Sequence, residues 1–305
     1  MRFGFAEHGV QFLWNASDPA FSCATNALSF FFLAIEKMIV ATVTEAMPLI
    51  TDPQIAAEAE AFVRQEGQHS MAHRAHVKGL IKIHPALTDT LDALHTTYAN
   101  LITSTSLQYR LAYIADLEAT FTPSFAMLLD NADTLFATGD DDVASLFLWH
   151  FVEEIEHRSS ALIIYNAVVA KPWYRIRVAP SVFKHATQAL VAIAEDFNTH
   201  IPLEVRTVDA RSMFGGLAWR KSLAQKLPRL QQHPLFNITD HGPIGKRYPH
   251  VRQREQIAAA IGVLLSQLPG HSPAQQKLPK FADDWLTRYD AGQDLTQWYR
   301  SNRQR

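Results

Sequence analysis

A short segment rich in histidine and glutamate constrains the fold of this chain more than any other feature. Residues 149–157 read WHFVEEIEH, without glycine or proline, and apolar residues recur around them at helical spacing. Because each helical residue turns by about 100°, His150, Glu154 and His157 fall on one face of the predicted helix. Three such side chains on an otherwise apolar face lose hydration energy unless a partner satisfies them. A bound metal ion would be such a partner.

The Glu-x-x-His pattern of this segment occurs a second time, from Glu66 to His69. Single carboxylates, Glu36 and Glu118, lie in mainly apolar segments that precede the two patterns. The order Glu, Glu-x-x-His, Glu, Glu-x-x-His resembles that of ferritin-like bundles, which hold two metal ions between four helices. The sequence therefore predicts an all-α protein, a ferritin-like four-helix bundle with a dinuclear metal site and additional C-terminal helices.

The flanks of the two patterns carry a more specific resemblance. Residues 62–69 (FVRQEGQH) and 149–157 resemble the two signature blocks of the bacterial family called predicted metal-dependent hydrolases, which is similar to ferritin-like di-iron proteins. The resemblance covers about residues 20–200. The second block is also similar to the last ligand block of the di-iron p-aminobenzoate N-oxygenase, which has a third histidine ligand. Together these resemblances imply the ligands Glu36, Glu66, His69, Glu118, His150, Glu154 and His157.

The third carboxylate of this set has a competitor two residues away, Asp116, which lies on another face of the same predicted helix. Glu118 is favoured because Phe121 and Phe125 share its helical stripe. Glu36 needs a partner because it is a lone carboxylate in a strongly apolar run.

The histidines and acids around the patterns leave further alternatives open. His150 is either a ligand or a hydrogen-bond donor to one. For His73 a third role is open besides these two, that of a surface or packing residue. His76 is expected to be a surface or packing residue. Glu153 and Glu156 lie on other faces of their helix, where they are either solvated or orient a histidine N–H group.

The predicted ligand set indicates which metal and which reaction to expect. Carboxylate and imidazole ligands suit iron, manganese or zinc. We expect two Fe ions, with Mn as an alternative and Zn less favoured. The resemblance implies chemistry with O2, so we expect a di-iron oxygenase or oxidase that oxidises a C–H or amine group of a small, largely apolar molecule and can use an external electron donor. The alternatives are a two-metal hydrolase that activates water and a non-enzymatic metal-binding protein.

Capping residues, prolines and apolar periodicity predict where the helices lie. In the first part of the chain we expect helices from Pro19 to about Met47, from Pro53 to about Ile83, and from Ala86 to about Thr138, the last as one kinked helix or as two. Gly139 is then a stop and Asp140 a cap, and a fourth helix runs from Asp141 to about Ala170. The third of these has a weak point at Thr103–Ser106 and a potential kink near Pro123. Further helices are expected at Pro180–His200, Arg211–Leu227, Arg252–Gln267 and Pro279–Tyr299, with a long loop at 228–250.

Charge divides the chain into two predicted domains. Residues 1–204 hold 12 lysines and arginines against 23 acids, whereas residues 205–305 hold 16 against 7. We expect an acidic metal-binding bundle at 1–204 and a basic helical extension at 205–305 that packs on it. The extension could form a lid over the bundle, a dimer interface or a contact with an anionic partner. We expect a homodimer. We expect no nucleic-acid binding, because no regular stripe of basic and aromatic residues occurs.

The remaining sequence features indicate in which cellular compartment the protein is expected. Cys23 is the only cysteine among 305 residues, which rules out an internal disulfide framework and fits a reducing compartment. The N-terminus lacks the apolar run of a signal peptide. The longest apolar run, Phe30–Ile35, meets Glu36 and Lys37 too soon to span a bilayer. We therefore expect a cytoplasmic protein without a transmembrane segment.

Overall fold

The described part of the chain is helical. The computed structural model describes residue 1, residues 3–5 and residues 9–303, the last three without their side chains. Over these residues the regular secondary structure consists of α-helices and 3-10 turns, and no strand occurs in them. The all-α prediction is confirmed.

From residue 19 to residue 156 the chain forms the helices that carry the predicted ligands. A 3-10 turn at Met47–Leu49 joins the first two of them. The helices are α1 (Pro19–Ala46), α2 (Pro53–Ile83), α3 (Leu87–Ser104), α4 (Leu107–Asp130), the short α5 (Ala132–Leu135) and α6 (Asp141–Glu156).

The rest of the chain alternates helices with short turns. The helices are α7 (Ser160–Val168), α8 (Pro172–His200), the short α9 (Leu203–Arg206), α10 (Leu217–Lys226), α11 (Gln253–Ser266), α12 (Lys280–Asp290) and α13 (Trp298–Arg303). Further 3-10 turns lie at Ala210–Met213, Pro228–Gln232 and Pro273–Gln275.

Aspartate caps fix the starts of the three helices whose beginnings the sequence marks most clearly. Asp18 accepts a hydrogen bond from the Phe21 N–H, and Asp140 accepts one from Val143. Asp52 caps α2 in the same way, at the residue before Pro53. Such caps satisfy amide groups that have no partner inside the helix. The predicted starts of α1, α2 and α6 are confirmed.

The prediction of one helix from Asp141 to about Ala170 is wrong in one respect, because the helix breaks at the end of the predicted metal-binding segment. α6 ends at Glu156, and His157 is its C-cap with φ −92° and ψ 16°. The guanidinium of Arg158 donates to the Ile155 carbonyl at 2.7 Å, which is the acceptor that a continuing helix would need. The chain restarts as α7.

The predicted helix from Ala86 to Thr138 also divides, at the weak point. Thr105 is extended, with ψ 155°, and Ser106 caps α4 through the Tyr109 N–H. Pro123 lies inside α4 without ending it, and Pro180 lies inside α8 rather than at its start.

In the C-terminal part, two predicted helices are interrupted by glycines. Gly215 and Gly216 have φ values of 60° and 64°, and they separate the turn at Ala210–Met213 from α10. Gly292, with φ 74°, follows the end of α12. Positive φ is a conformation that glycine adopts readily and that ends a helix.

α1 is the central helix, and its apolar character comes from burial in the core. With the turn that follows it, Pro19–Leu49 is long and apolar enough to cross a membrane by length and composition. However, 72% of the apolar window is buried inside the protein, and a core helix passes the same test. α1 packs against α2, α3, α4 and α8.

A buried ion pair joins α4, α8 and the end of α11. The guanidinium of Arg175 lies 3.1 Å from Asp116 and donates to the carbonyls of Ser266 and Leu268. The Gln267 amide donates to the Asp116 carbonyl at 3.2 Å. The basic C-terminal part is thereby fixed to a bundle helix.

The C-terminal end of the chain also packs on the bundle. Asp141 accepts hydrogen bonds from the backbone N–H groups of Tyr299 and Arg300, at 2.9 and 2.8 Å. Trp285 and Trp298 are buried, whereas Trp219 is 64% exposed and contacts only the Phe236 ring among the aromatic contacts of the described residues. The domain boundary at residue 204 stays a prediction, because α8 and the turn at Ala210–Met213 pack together across it.

Replacing Arg175 by Met should destabilise the protein by about 3–5 kcal/mol at pH 8, because Asp116 must then either bind a proton or keep a buried charge without a counterion. Burial raises the pKa of Asp116 to about 7 even beside Arg175. A raised pKa in the folded state means that the protonated form is tolerated, so the loss should shrink as pH falls from 8 to 5. Urea unfolding measures both effects.

The control for this experiment is Arg177→Met, which removes an exposed arginine from the same helix. Its effect should stay within about 0.5 kcal/mol. Equal urea midpoints for the two variants would show that the buried ion pair does not hold the helices together.

Candidate metal centre

The structure brings all of the sequence-predicted ligands into the interior of the bundle. α1 supplies one carboxylate, α2 a Glu-x-x-His pair, α4 one carboxylate, and α6 with its C-cap the remaining three residues. Each is at most 6% exposed; the residues are Glu36, Glu66, His69, Glu118, His150, Glu154 and His157. Their role as metal ligands stays a prediction.

These residues form two adjacent groups that could each hold a metal ion. The first contains Glu36, His69 and His150; the second contains Glu66, Glu118, Glu154 and His157. Within each group, one ligand atom from every residue lies within 4.8 Å of the others. The arrangement therefore fits the predicted dinuclear site.

Glu154 lies between the two groups. Its Oε1 atom is 2.7 Å from His150 Nε2 and 3.4 Å from His69 Nδ1, both in the first group. Its Oε2 atom is 3.3 Å from His157 Nε2, in the second group. A carboxylate with one oxygen toward each group is placed to be shared by two metal ions.

Buried polar atoms without hydrogen-bond partners support the assignment. Among the described residues they include both carboxylate oxygens of Glu36 and of Glu66, and both ring nitrogens of His157. Leaving such atoms unpaired in a dry interior costs free energy. The four carboxylates, if ionised, would balance the charge of two divalent cations. The residues present therefore fit the metal ions that the fold implies.

The electrostatics of the carboxylates are dominated by burial. Burial raises the pKa values of Glu36, Glu66 and Glu118, and neighbouring carboxylates raise them further. Burial also acts on Glu154, but the adjacent charges and hydrogen bonds of His157 and His150 hold its pKa well below the usual range. Glu154 is therefore the carboxylate best prepared to carry a charge.

The pKa values of the histidines also differ, according to burial and to the charges beside each ring. Burial lowers the pKa of His69, but the carboxylates of Glu153 and Glu154 outweigh it and bring the pKa to about 10. Burial and the charge of His69 lower the pKa of His150 to about 4. Because metal ions bind neutral imidazole, loading the site at neutral pH must displace a proton from His69.

A carboxylate outside the two groups orients His69. Glu153 Oε2 is 3.0 Å from His69 Nε2, and Trp149 donates to Glu153 Oε1 at 2.6 Å. Of the two roles that the sequence left open for Glu153, the structure shows the orienting one. Glu156 is exposed. Trp149 was not predicted, although its spacing of four residues from Glu153 on one helix was a signal for the contact.

A chain of buried side chains leads away from His150. His73 Nε2 is 2.6 Å from His150 Nδ1, and Ser29 Oγ is 2.9 Å from His73 Nδ1 and 2.8 Å from His76 Nδ1. His73 is thus a hydrogen-bond partner of His150 and lies outside both ligand groups. Ser29 was missed from the sequence, although it lies seven residues before Glu36, on the same helical face.

The hydrogen order along this chain follows from the state of His150. With a metal ion on Nε2, the proton of His150 lies on Nδ1 and donates to His73, and His73 in turn donates to Ser29. Ser29 then donates to His76 Nδ1. This order assigns one tautomer to each ring and is compatible with the form of His150 that a metal ion needs.

The structure also separates the two acids of α4. Asp116 is bound to Arg175, whereas Glu118 Oε2 faces His157 Nε2 at 3.9 Å. Two residues along a helix correspond to a rotation of about 200°, so the two carboxylates point to different neighbours. Glu118 therefore lies in the candidate metal centre, and Asp116 lies in the contact with α8.

A comparison with known families decides the affiliation. A family model described as predicted metal-dependent hydrolase matches residues 1–236. The chain belongs to this family. Searches of curated proteins and of solved structures gave no match. The match contains all of the candidate ligands and supports metal dependence, but α11, α12 and α13 lie beyond it.

Three surface pockets lie away from the metal centre of this family member. The first, of about 870 Å³, lies between α4 and α12. The second, of about 490 Å³, lies beside the N-terminal residues and α13, and the third, of about 150 Å³, lies beside α8. None of the three is lined by a candidate ligand. All of the candidate ligands are buried, and the side chains of His157 and Glu118 are only 3% and 4% exposed.

The variants Glu66→Ala and Glu154→Ala should each lose metal, because both carboxylates have oxygens close to His157. Elemental analysis of purified protein gives the metal content per chain. Glu156→Ala, next to the site but exposed, is the matched control and should keep its metal. Full metal content in both ligand variants would contradict the assignment.

Replacing His73 by Leu should weaken metal binding by about 10–100-fold while the fold is retained, because His150 loses the partner that fixes its tautomer. Competition with a chelator measures the affinity. His95→Leu on α3 is the control, since this half-buried histidine lies outside the chain of hydrogen bonds. Equal affinities would show that the contact between His73 and His150 does not position the ligand.

Proposed function

We propose that this protein is a di-iron oxygenase or oxidase that acts on a small, largely apolar molecule. The observation that carries the dinuclear site of this proposal is the position of Glu154, which offers one oxygen to each of two buried groups of carboxylates and histidines. Such a site suits two ions held side by side. It would use O2 as the second substrate.

The donor set supports iron over zinc. Four carboxylates and three histidines contribute, and no thiolate does, because Cys23, the only cysteine of the chain, lies outside both groups. Carboxylate and imidazole together suit iron and manganese, whereas cysteine is the frequent ligand of structural zinc. When bound, two ferrous ions would supply two of the four electrons that O2 needs, with two from the substrate, and an external donor would restore the ferrous state.

The chain's own contribution is a dry, apolar shell around the site. The Phe32 ring lies 4.4 Å from the His150 ring, and the Phe62 ring lies 5.1 Å from that of His157, measured between centroids. Phe121 and Phe125 stack on each other beside Phe32. Such a shell excludes water and favours an apolar substrate over a charged one.

A second candidate is a two-metal hydrolase, which the description of the family favours. In that case the two ions would lower the pKa of a bound water and make it a nucleophile. The same seven residues would hold the ions, so the ligand geometry does not separate the two functions. The reaction with O2 does.

The deciding experiment loads metal-free protein with Fe(II) or with Zn(II) in the absence of oxygen and then adds O2. Oxidation chemistry predicts two irons per chain, O2 consumption and an absorbance change. The Glu154→Ala variant, treated in the same way, should show none of these. A zinc form that hydrolyses ester or phosphoester probes, with an iron form that consumes no O2, would overturn the proposal in favour of the hydrolase.

A further inference from the structure

The surface of α11 is apolar where a helix on a protein surface is usually polar. Its large aliphatic side chains point outward, and each is between 50% and 71% exposed: Ile257, Ile261, Leu264, Leu265 and Leu268. Of these, only Leu268 lies outside the helix, two residues after its end. These residues define the outer face of α11. Contiguous apolar patches of this kind mark interaction sites.

The inner face of α11 uses small and polar residues instead. Gly262 lies so close to Pro123 of α4 that an added Cβ atom would be 2.7 Å from the proline ring. Glu255 accepts a hydrogen bond from Asn131, and Gln267 donates to the Asp116 carbonyl. The contacts that attach α11 to its own chain therefore leave its aliphatic side chains unused.

The spacing of the outer face is that of a helix pair. Ile257, Ile261, Leu264 and Leu268 follow one another at intervals of four, three and four residues. This alternation produces a straight apolar seam that packs against a second helix. Between Glu255 and Leu268 the outer face carries no charged residue, as in the centres of protein interfaces.

We propose that the outer face of α11 pairs with the same face of a second copy of this chain, in antiparallel orientation. Identical faces that pair about a two-fold axis give the closed interface found in most homodimers. Arg254 lies at the N-terminal end of the seam, and its side chain is 74% exposed. A parallel pair would place the two arginines together, whereas an antiparallel pair places each near the C-terminal end of the partner helix, where a cation is stabilised.

The exposed area agrees with a dimer. The five outer side chains expose ~500 Å² per chain, against ~800 Å² per partner in an interface of standard size. One helix therefore supplies more than half of the area that a stable dimer needs. Neighbouring residues, including Gln253 and Ala260, which are also exposed on this side, would add to it.

The first test measures the molar mass of the full-length protein in solution by light scattering after size-exclusion chromatography. We expect the wild-type protein to be a dimer at micromolar concentration. The Leu264→Glu variant should be a monomer, because the substitution should raise the dissociation constant of the dimer at least about 100-fold. Leu235→Glu is the matched control: Leu235 is 59% exposed in a loop of the same basic region, and this variant should stay dimeric. Circular dichroism confirms that each variant is folded.

The second test determines the orientation by disulfide cross-linking. The natural Cys23 is buried, and burial raises its thiol pKa to about 12, so an introduced cysteine is the reactive one. Antiparallel pairing places Ile257 opposite Leu268 of the other copy. A mixture of Ile257→Cys and Leu268→Cys chains should therefore form cross-linked heterodimers, while Ile257→Cys alone should not, because its two copies would lie ~16 Å apart.

Several outcomes would overturn the proposal. A wild-type protein that is monomeric at tens of micromolar, or a Leu264→Glu variant that dimerises as strongly as wild type, excludes the outer face as a dimer contact. Efficient cross-linking of Ile257→Cys to itself would replace the antiparallel by a parallel arrangement. A monomeric wild type that binds vesicles of anionic phospholipid, with binding lost in Leu264→Glu, would assign the face to a membrane surface instead.

Discussion

The cost of placing ionisable groups in a water-free interior governs this structure. Four carboxylates and three histidines lie at the centre of the bundle, and several of their oxygen and nitrogen atoms have no hydrogen-bond partner among the described residues. A folded chain tolerates such a cluster only when protons or cations neutralise it. The raised pKa values of Glu36, Glu66 and Glu118 mean that protons neutralise these carboxylates when no metal is bound. Two divalent ions would neutralise them in the metal-bound protein. The aromatic rings around the site strengthen this requirement, because they exclude the water that would otherwise solvate the charges.

Hydrogen bonds outside the ligand set determine how accurately the site is held. Glu153 fixes one ring of the first group and His73 fixes another, and both partners are themselves fixed, by Trp149 and Ser29. The buried pair of Asp116 and Arg175 acts further out, since it fixes the helix that carries Glu118 against α8 and α11. The metal centre therefore depends on contacts that reach into the part of the chain beyond the family match.

Much of this arrangement could be predicted from the sequence, and the physical reason is periodicity. Glu66, His69, Glu154 and His157 repeat one spacing that only a helix brings to one face, and Asp18, Asp52 and Asp140 mark helix starts by a local rule. Helix ends were less predictable, because they depend on contacts with distant residues, as the Arg158 guanidinium at the Ile155 carbonyl illustrates. The position of Ser29 on the face of Glu36 was derivable, but its hydrogen-bond partners and the outward direction of the α11 side chains were not, since both depend on which surfaces meet in three dimensions. The reaction type is not encoded in the ligand spacing at all.

The position of His157 gives the site an uneven stiffness. The other six ligands project from within helical turns, where the backbone hydrogen bonds of their helices fix each Cα atom. His157 alone follows the last residue of α6, with a non-helical ψ, and a two-residue link connects it to α7. Small changes in that link would move one imidazole without disturbing a helix. If an ion is bound, a change in its radius or coordination number would therefore be accommodated mainly at this candidate ligand, while the rest of the cluster keeps its shape.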